Sequence, residues 1–266
     1  MISVIMGIKA NNDRIAQIKR SVLSIINQDI TESVELIICD NGSDAGIQKY
    51  LDNISVQYDN IKIIRESRVV SLQQKLNYCL QNASGDYIAR MDDDDYSYPN
   101  RFSIQYEFLK KHSDIAFVGS NIIEVGLKDY KKIKKFPEYP QIKDFKMTQP
   151  YIHSSLMFRK QCLLDIGGYS ESKWCESCDD YDLLLRLYKK NYIGANIQVP
   201  LIEYCVYSSK VKKIPLKYRV NQAATRYKRF KDFNKNIVWF FYILKPIILW
   251  FLPLKILNLI KSKRGD

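Results

Sequence analysis

The strongest constraint in this chain is a strict alternation over its first 90 residues. "ISVIM" (2–6), "VELIIC" (34–39), "IKII" (61–64) and "DYIARM" (86–91) are short, nearly continuous apolar runs. Such runs suit strands buried on both faces. Between them, apolar residues return at helical spacing: Ile15, Ile18, Val22 and Ile25 or Ile26, and later Leu72, Leu76, Cys79, Leu80 and Ala83. A shorter helix fits residues 45–53. Strand–helix alternation of this kind argues for an α/β fold, a mostly parallel central sheet with helices on both faces. In such sheets ligands gather beyond the carboxyl ends of the strands. Two acidic stretches fall at such ends: Asp40 after "ELIIC", in the turn sequence "DNGSD", and Asp92 to Asp95 after "YIARM".

Farther along, "PNRFSIQYEFLKK" (99–111) reads as a helix with proline near its first turn. "IAFVGSNIIEV" (115–125) reads as one or two strands, and residues 126–151, with three prolines, as a polar loop long enough to be a flap. "SSLMF" is a further strand, and "DDYDLLLRLYKK" (179–190) a helix with acids in its first turn.

Charge divides the chain. Of 41 Lys and Arg, 15 lie in residues 207–266 beside only two Asp, so the whole formal excess of +12 sits in that tail. We therefore expect a boundary near 207: a domain over 1–206, with halves 1–95 and 96–206, and a basic and apolar helical tail over 207–266. The tail is polar and basic over 210–235 and strongly apolar over 237–260, where Lys245, Pro246, Pro253 and Lys255 interrupt it. No uncharged run approaches the ~20 residues a membrane-crossing helix needs. Apolar residues, Trp and flanking Lys suit a segment lying on an anionic membrane surface. The alternatives are a helix packed on the core or on a second subunit. The charge would suit nucleic acid, but no binding motif accompanies it, and no such partner is expected.

The six cysteines form no framework, and "WCESC" has no second pair to complete a zinc site. A reducing compartment is the expectation. The start "MISVIMGIK" reads as a strand, with no leader pattern.

Packed carboxylates at a strand end suit Mg2+ or Mn2+, which take hard oxygen ligands and keep places for waters and phosphates. On an extended turn Asp92 and Asp94 point the same way. Alone, D-x-D reads equally well as a solvated turn that caps the next helix.

In order, "SVIMGI", "SIINQD", "ELIICDNGSD", "GDYIARMDDDDYSYPNR", "HSSLMFRKQCLLDIGGYSE" and "DDYDLLLRL" closely resemble the family 2 glycosyltransferases of GT-A fold that build bacterial polysaccharides. The resemblance covers residues 2 to about 206. It implies a nucleotide-diphosphate-sugar donor, usually a UDP-sugar, and inversion at the anomeric carbon; together with the tail it leads us to expect a glycan or lipid-linked acceptor, at the cytoplasmic face of a bacterial inner membrane or in the cytoplasm. Carried over, Asp40 contacts the donor base. Asp92 and Asp94 match the D-x-D, with Asp94 the direct metal ligand, and Asp180 matches the catalytic base. Asp179 replaces the usual Glu beside that base, Lys75 is a donor-side cation, and His153 an acceptor-side residue. The chain departs from the pattern at Lys9-Ala10, where relatives have Tyr-Asn. It departs again at Cys205 and Tyr207, where relatives carry Arg-x-His, a diphosphate or metal contact that Lys210 could replace. These departures keep open a weakly active or inactive scaffold of the same fold.

Overall fold

The computed structural model describes residues 1–66, 71–127, 129–206, 214–233 and 237–257. Nine strands make one sheet: β1 (Ile2–Ile8), β2 (Val34–Asp40), β3 (Ile61–Arg65), β4 (Tyr87–Arg90), β5 (Tyr96–Ser97), β6 (Ile115–Gly126), β7 (Lys131–Lys134), β8 (Met157–Arg159) and β9 (Ile193–Val206). Their order is β3-β2-β1-β4-β8-β6-β9-β5, with β7 on the free side of β6. The pairs β1/β2, β1/β4, β2/β3 and β6/β9 are parallel, while β5, β7 and β8 run against their neighbours.

Among the described residues, eight helices accompany this sheet: α1 (Ile15–Ile26), α2 (Ala45–Gln57), α3 (Leu72–Gln81), α4 (Arg101–Lys111), α5 (Lys160–Asp165), α6 (Asp179–Lys189), α7 (Leu216–Phe230) and α8 (Ile237–Phe251). Because successive strand residues face opposite sides, the first strands split two cores. Val4, Met6, Ile8, Leu36 and Ile38 pack with α1, α2 and α4 through Ile18, Val22, Leu51 and Phe102. Ile5, Ile37 and Cys39 pack on the other side with Leu76 and Cys79 of α3 and the leucines of α6. Gly7 lets α3 come close: a Cβ there would stand 2.9 Å from Leu72 Cδ1 and 3.2 Å from Lys75 Cβ.

Three features differ from the sequence reading. "IAFVGSNIIEV" is one long strand that bends, with register shifts against β9 on either side of Asn121. Beyond that bend β6 and β9 carry β7 and β5 at their edges. Residues 126–151 are no free flap, because β7 pairs with β6 and a 3-10 turn at Ile142–Lys146 buries Phe145 completely. The proline at 246 does not end the last helix, which runs through it to Phe251. Within the tail, Phe230 of α7 and Trp239 of α8 belong to the same core as α3 and α6. No helix among the described residues is long and apolar enough to cross a membrane.

Candidate active site

The parallel strands end along one edge of the sheet, and the acidic residues lie there. Asp40 closes β2 and is buried. Its Oδ1 accepts from the Ser43 N–H (3.1 Å) and hydroxyl (2.6 Å), and Oδ2 pairs with Arg65 at the end of β3. Gly42, at φ 77°, allows that tight turn. Lys75 comes up from α3, buried, and donates to the Ile8 carbonyl at 2.9 Å. Burial lowers its pKa, and the charges of Asp40 and Asp93 act against that shift.

The four aspartates share their partners unequally. Arg90, fully buried, donates to Asp92 Oδ1 at 2.5 Å and to the Met91 carbonyl. Arg14, just before α1, reaches Asp93 Oδ1 at 2.9 Å and Asp94 Oδ2 at 3.5 Å. Asp95 is buried, accepting from Ser154 Oγ (2.5 Å) and the Cys205 N–H (2.8 Å). It therefore ties the turn to β9 and to the short turn that carries His153. Burial, and then the charge of Asp92, pushes Asp95 up to about 8.

A cavity of about 330 Å³ opens beside this turn, lined among others by Arg90, Asp92, His153, Asp179, Asp180 and Tyr204. Asp180 is in the first turn of α6. Its Oδ2 accepts from Gln149 Nε2 at 3.0 Å, and its Oδ1 from the Tyr181 N–H at 2.7 Å. Desolvation raises its pKa, with the charge of Asp92 adding to the effect. Asp179 is raised to about 7, by burial first and by Asp180 second. A buried carboxylate whose pKa moves toward neutrality suits proton abstraction from a hydroxyl. His153 accepts from or donates to Tyr169 Oη at 2.9 Å, and burial lowers its pKa well below the ordinary imidazole value.

The structure thus gathers Asp92, Asp179, Asp180 and His153 around one cavity. Asp40 and Lys75 stand apart from it, at the ends of β2 and β1, and Asp94 turns to Arg14. Asp182, two residues beyond Asp180, is fully buried between Arg186 Nε (2.7 Å) and Arg229 Nε (2.5 Å), a clamp between α6 and α7. Tyr207 and Lys210 lie outside the described residues. Sequence reading missed Arg90, Gln149 and Tyr204. An arginine directly before the acidic turn was the only signal for the first, and the other two are brought in by long-range folding.

The donor chemistry of the turn fits a hard dication. Asp92 and Asp94 offer carboxylate oxygens two residues apart in sequence, but instead of pointing the same way they turn to different arginines, Arg90 and Arg14. Among the described residues no three His, Cys, Asp or Glu gather as a metal cage. Such a pair suits an ion that completes its sphere with waters and substrate phosphates.

The same architecture occurs in TarS of S. aureus, solved in complex with UDP: TM-score 0.69 at 14% identity, over 92% of this chain and 70% of that one. The fold is that of a GT-A glycosyltransferase. The glycosyl transferase family 2 model matches residues 3–166. Among curated relatives, the chain is 30% identical to EpsE of Bacillus subtilis (strain 168), over 99% of this chain and 94% of EpsE. It is 32% identical to the O-antigen biosynthesis glycosyltransferase WbnJ of Escherichia coli, over 82% of this chain and 84% of WbnJ. The chain belongs to glycosyl transferase family 2.

Proposed function

We propose that the protein transfers a sugar from a nucleotide diphosphate, a UDP-sugar, to a hydroxyl of a glycan or lipid-linked oligosaccharide during surface polysaccharide assembly. The observation that carries this reading is the meeting of Asp92, from the acidic turn, and Asp180, from α6, across one cavity. One wall offers a place for the donor diphosphate and the other a base. Asp180 takes the proton of the acceptor hydroxyl as that oxygen attacks the anomeric carbon. The bond to the diphosphate breaks in the same step, which inverts the configuration and needs no enzyme nucleophile. Gln149 holds the Asp180 carboxylate in place, and Arg90 holds Asp92. Asp40 serves the donor base, with Arg65 and Ser43 fixing its carboxylate, and Lys75 adds positive charge beneath the donor. When bound at Asp92 and Asp94, Mn2+ or Mg2+ supplies Lewis-acid stabilisation of the departing diphosphate. His153 and Asp179 line the acceptor side. Place of work is the cytoplasmic face of a bacterial inner membrane, where lipid-linked acceptors are extended.

Release of free nucleotide diphosphate, screened over UDP- and GDP-sugars with and without Mn2+, tests the reading. A UDP-sugar should be turned over with Mn2+, and Asp94→Ala should abolish this. Donor binding without turnover of any compound in the screen would favour a binding protein of the same fold.

A further inference from the structure

Helix α8 is apolar apart from Lys245, yet among the described residues only one side of it is covered. Trp239, 5% exposed, meets Phe230 edge-on with ring centroids 4.4 Å apart, and Pro246, seven residues on and so on the same helical face, is buried as well. The other side carries Phe241, Leu244, Ile248 and Phe251 at intervals of three, four and three, a single helical stripe. Phe241 is 64% exposed, Ile248 52% and Phe251 71%. After Pro253 the surface continues through Leu254, Lys255 and Ile256, all exposed. A contiguous patch of this kind marks a contact surface.

Length and charge decide what covers it. Fifteen residues of helix span about 22 Å, short of the ~30 Å hydrocarbon core of a bilayer. Lying flat, the same stripe fits the headgroup boundary, with aromatic rings at the acyl level and Lys255 reaching outward. The helix belongs to the segment that holds 15 basic residues against two acidic ones, in a chain otherwise close to neutral. Exposed Lys228 and Lys231 lie near the end of α7, just before it. A second copy of the chain would bring the same excess against itself, and like charges across an interface are unfavourable. Anionic headgroups meet both features at once.

We propose that the exposed stripe of α8, with the basic residues around it, docks the protein on an anionic lipid bilayer. This deepens the reading above by supplying the route to a lipid-linked acceptor. Its test needs no turnover, so the two stand or fall separately.

The full chain is mixed with vesicles of phosphatidylcholine alone, or of phosphatidylcholine with phosphatidylglycerol, and floated on a density gradient. It should float with the anionic vesicles, at least about tenfold more than with neutral ones, and raised salt should release it. The double variant Phe241→Glu/Phe251→Glu should lose flotation by a similar factor while keeping the wild-type Tm and elution volume. Absence of flotation with the anionic vesicles would overturn the proposal, as would equal flotation of wild type and double variant. So would a wild-type dimer that the double variant dissolves and that does not float, which would assign the stripe to a second copy.

Discussion

Asp180 and Asp182 stand two residues apart in the first turn of α6, and replacing each with asparagine should have opposite consequences. Asp182 is fully buried and joins Arg186 and Arg229, whose side chains are 13% and 19% exposed. Asp182→Asn leaves both guanidiniums facing a neutral amide. Breaking a buried ion pair costs about 3–5 kcal/mol, and because both arginines keep an edge in water the lower figure applies, about 3 kcal/mol. For a chain of this size that is a fall in Tm of about 5 °C, read by a thermal melt followed by circular dichroism. Among the described residues Asp180 has no cationic partner of this kind, and burial works against its charge. Asp180→Asn keeps the size and one accepting oxygen, which can serve Gln149 or the Tyr181 N–H but not both; relief of the buried charge is set against one lost hydrogen bond, so its Tm should fall by much less than that of Asp182→Asn. Turnover should fall by about 100- to 10,000-fold, the usual contribution of a general base, with donor binding intact by calorimetry. Equal Tm losses in the two variants, or wild-type turnover in Asp180→Asn, would refute the division of labour argued for α6.

Other outcomes follow from the same geometry. Folded Asp179 keeps its proton up to about 7, while the unfolded chain releases it near the ordinary 3.8. Folding therefore takes up a proton between those values, and this group's contribution to stability falls as pH rises through that window. Asp179→Asn should flatten the slope of urea midpoint against pH there. Trp239→Ala removes a nearly buried indole packed on Phe230 and should cost about 3–5 kcal/mol in urea unfolding. Asp40→Asn should raise the donor KM about 10- to 100-fold, the range for a lost hydrogen bond to a charged group, with little change in kcat. An unchanged KM would leave Asp40 as the keeper of its turn and of Arg65.

Much of the fold could be read before the structure, because β1 to β4 and their helices announce themselves locally. Apolar runs and helical spacing are properties of neighbours in the chain, and the buried faces of α1 and α3 fall where that spacing puts them. The second half resisted for physical reasons. A bend in β6 depends on its register with β9, some 80 residues away, and β5 is two residues long, held by Tyr96 and Ser97 against Glu203 and Ile202. Phe145 looks like one aromatic in a polar loop until Tyr151, Tyr181 and Tyr188 close around it. The site shows the same contrast. Four adjacent aspartates ask for positive charge, and their place at the carboxyl end of a strand could be read from the sequence. That Arg90 and Arg14 divide three of them, and that Ser154 and the Cys205 backbone take the fourth, is set by packing alone.

The stretch from Phe145 to Gln149 works as a splint between the C-terminal helices and the chemistry. Arg226 donates to the carbonyls of Phe145 (3.5 Å) and Lys146 (3.0 Å), Lys146 lies over the Trp239 ring at 4.5 Å, and Lys245 bonds the Met147 carbonyl. Two residues on, Gln149 grips Asp180. Trimming the oily end to obtain a better-behaved preparation would therefore loosen the brace behind the proposed base. A shortened protein that stays in solution but works slowly would be reporting that lost support rather than an intrinsically poor catalyst.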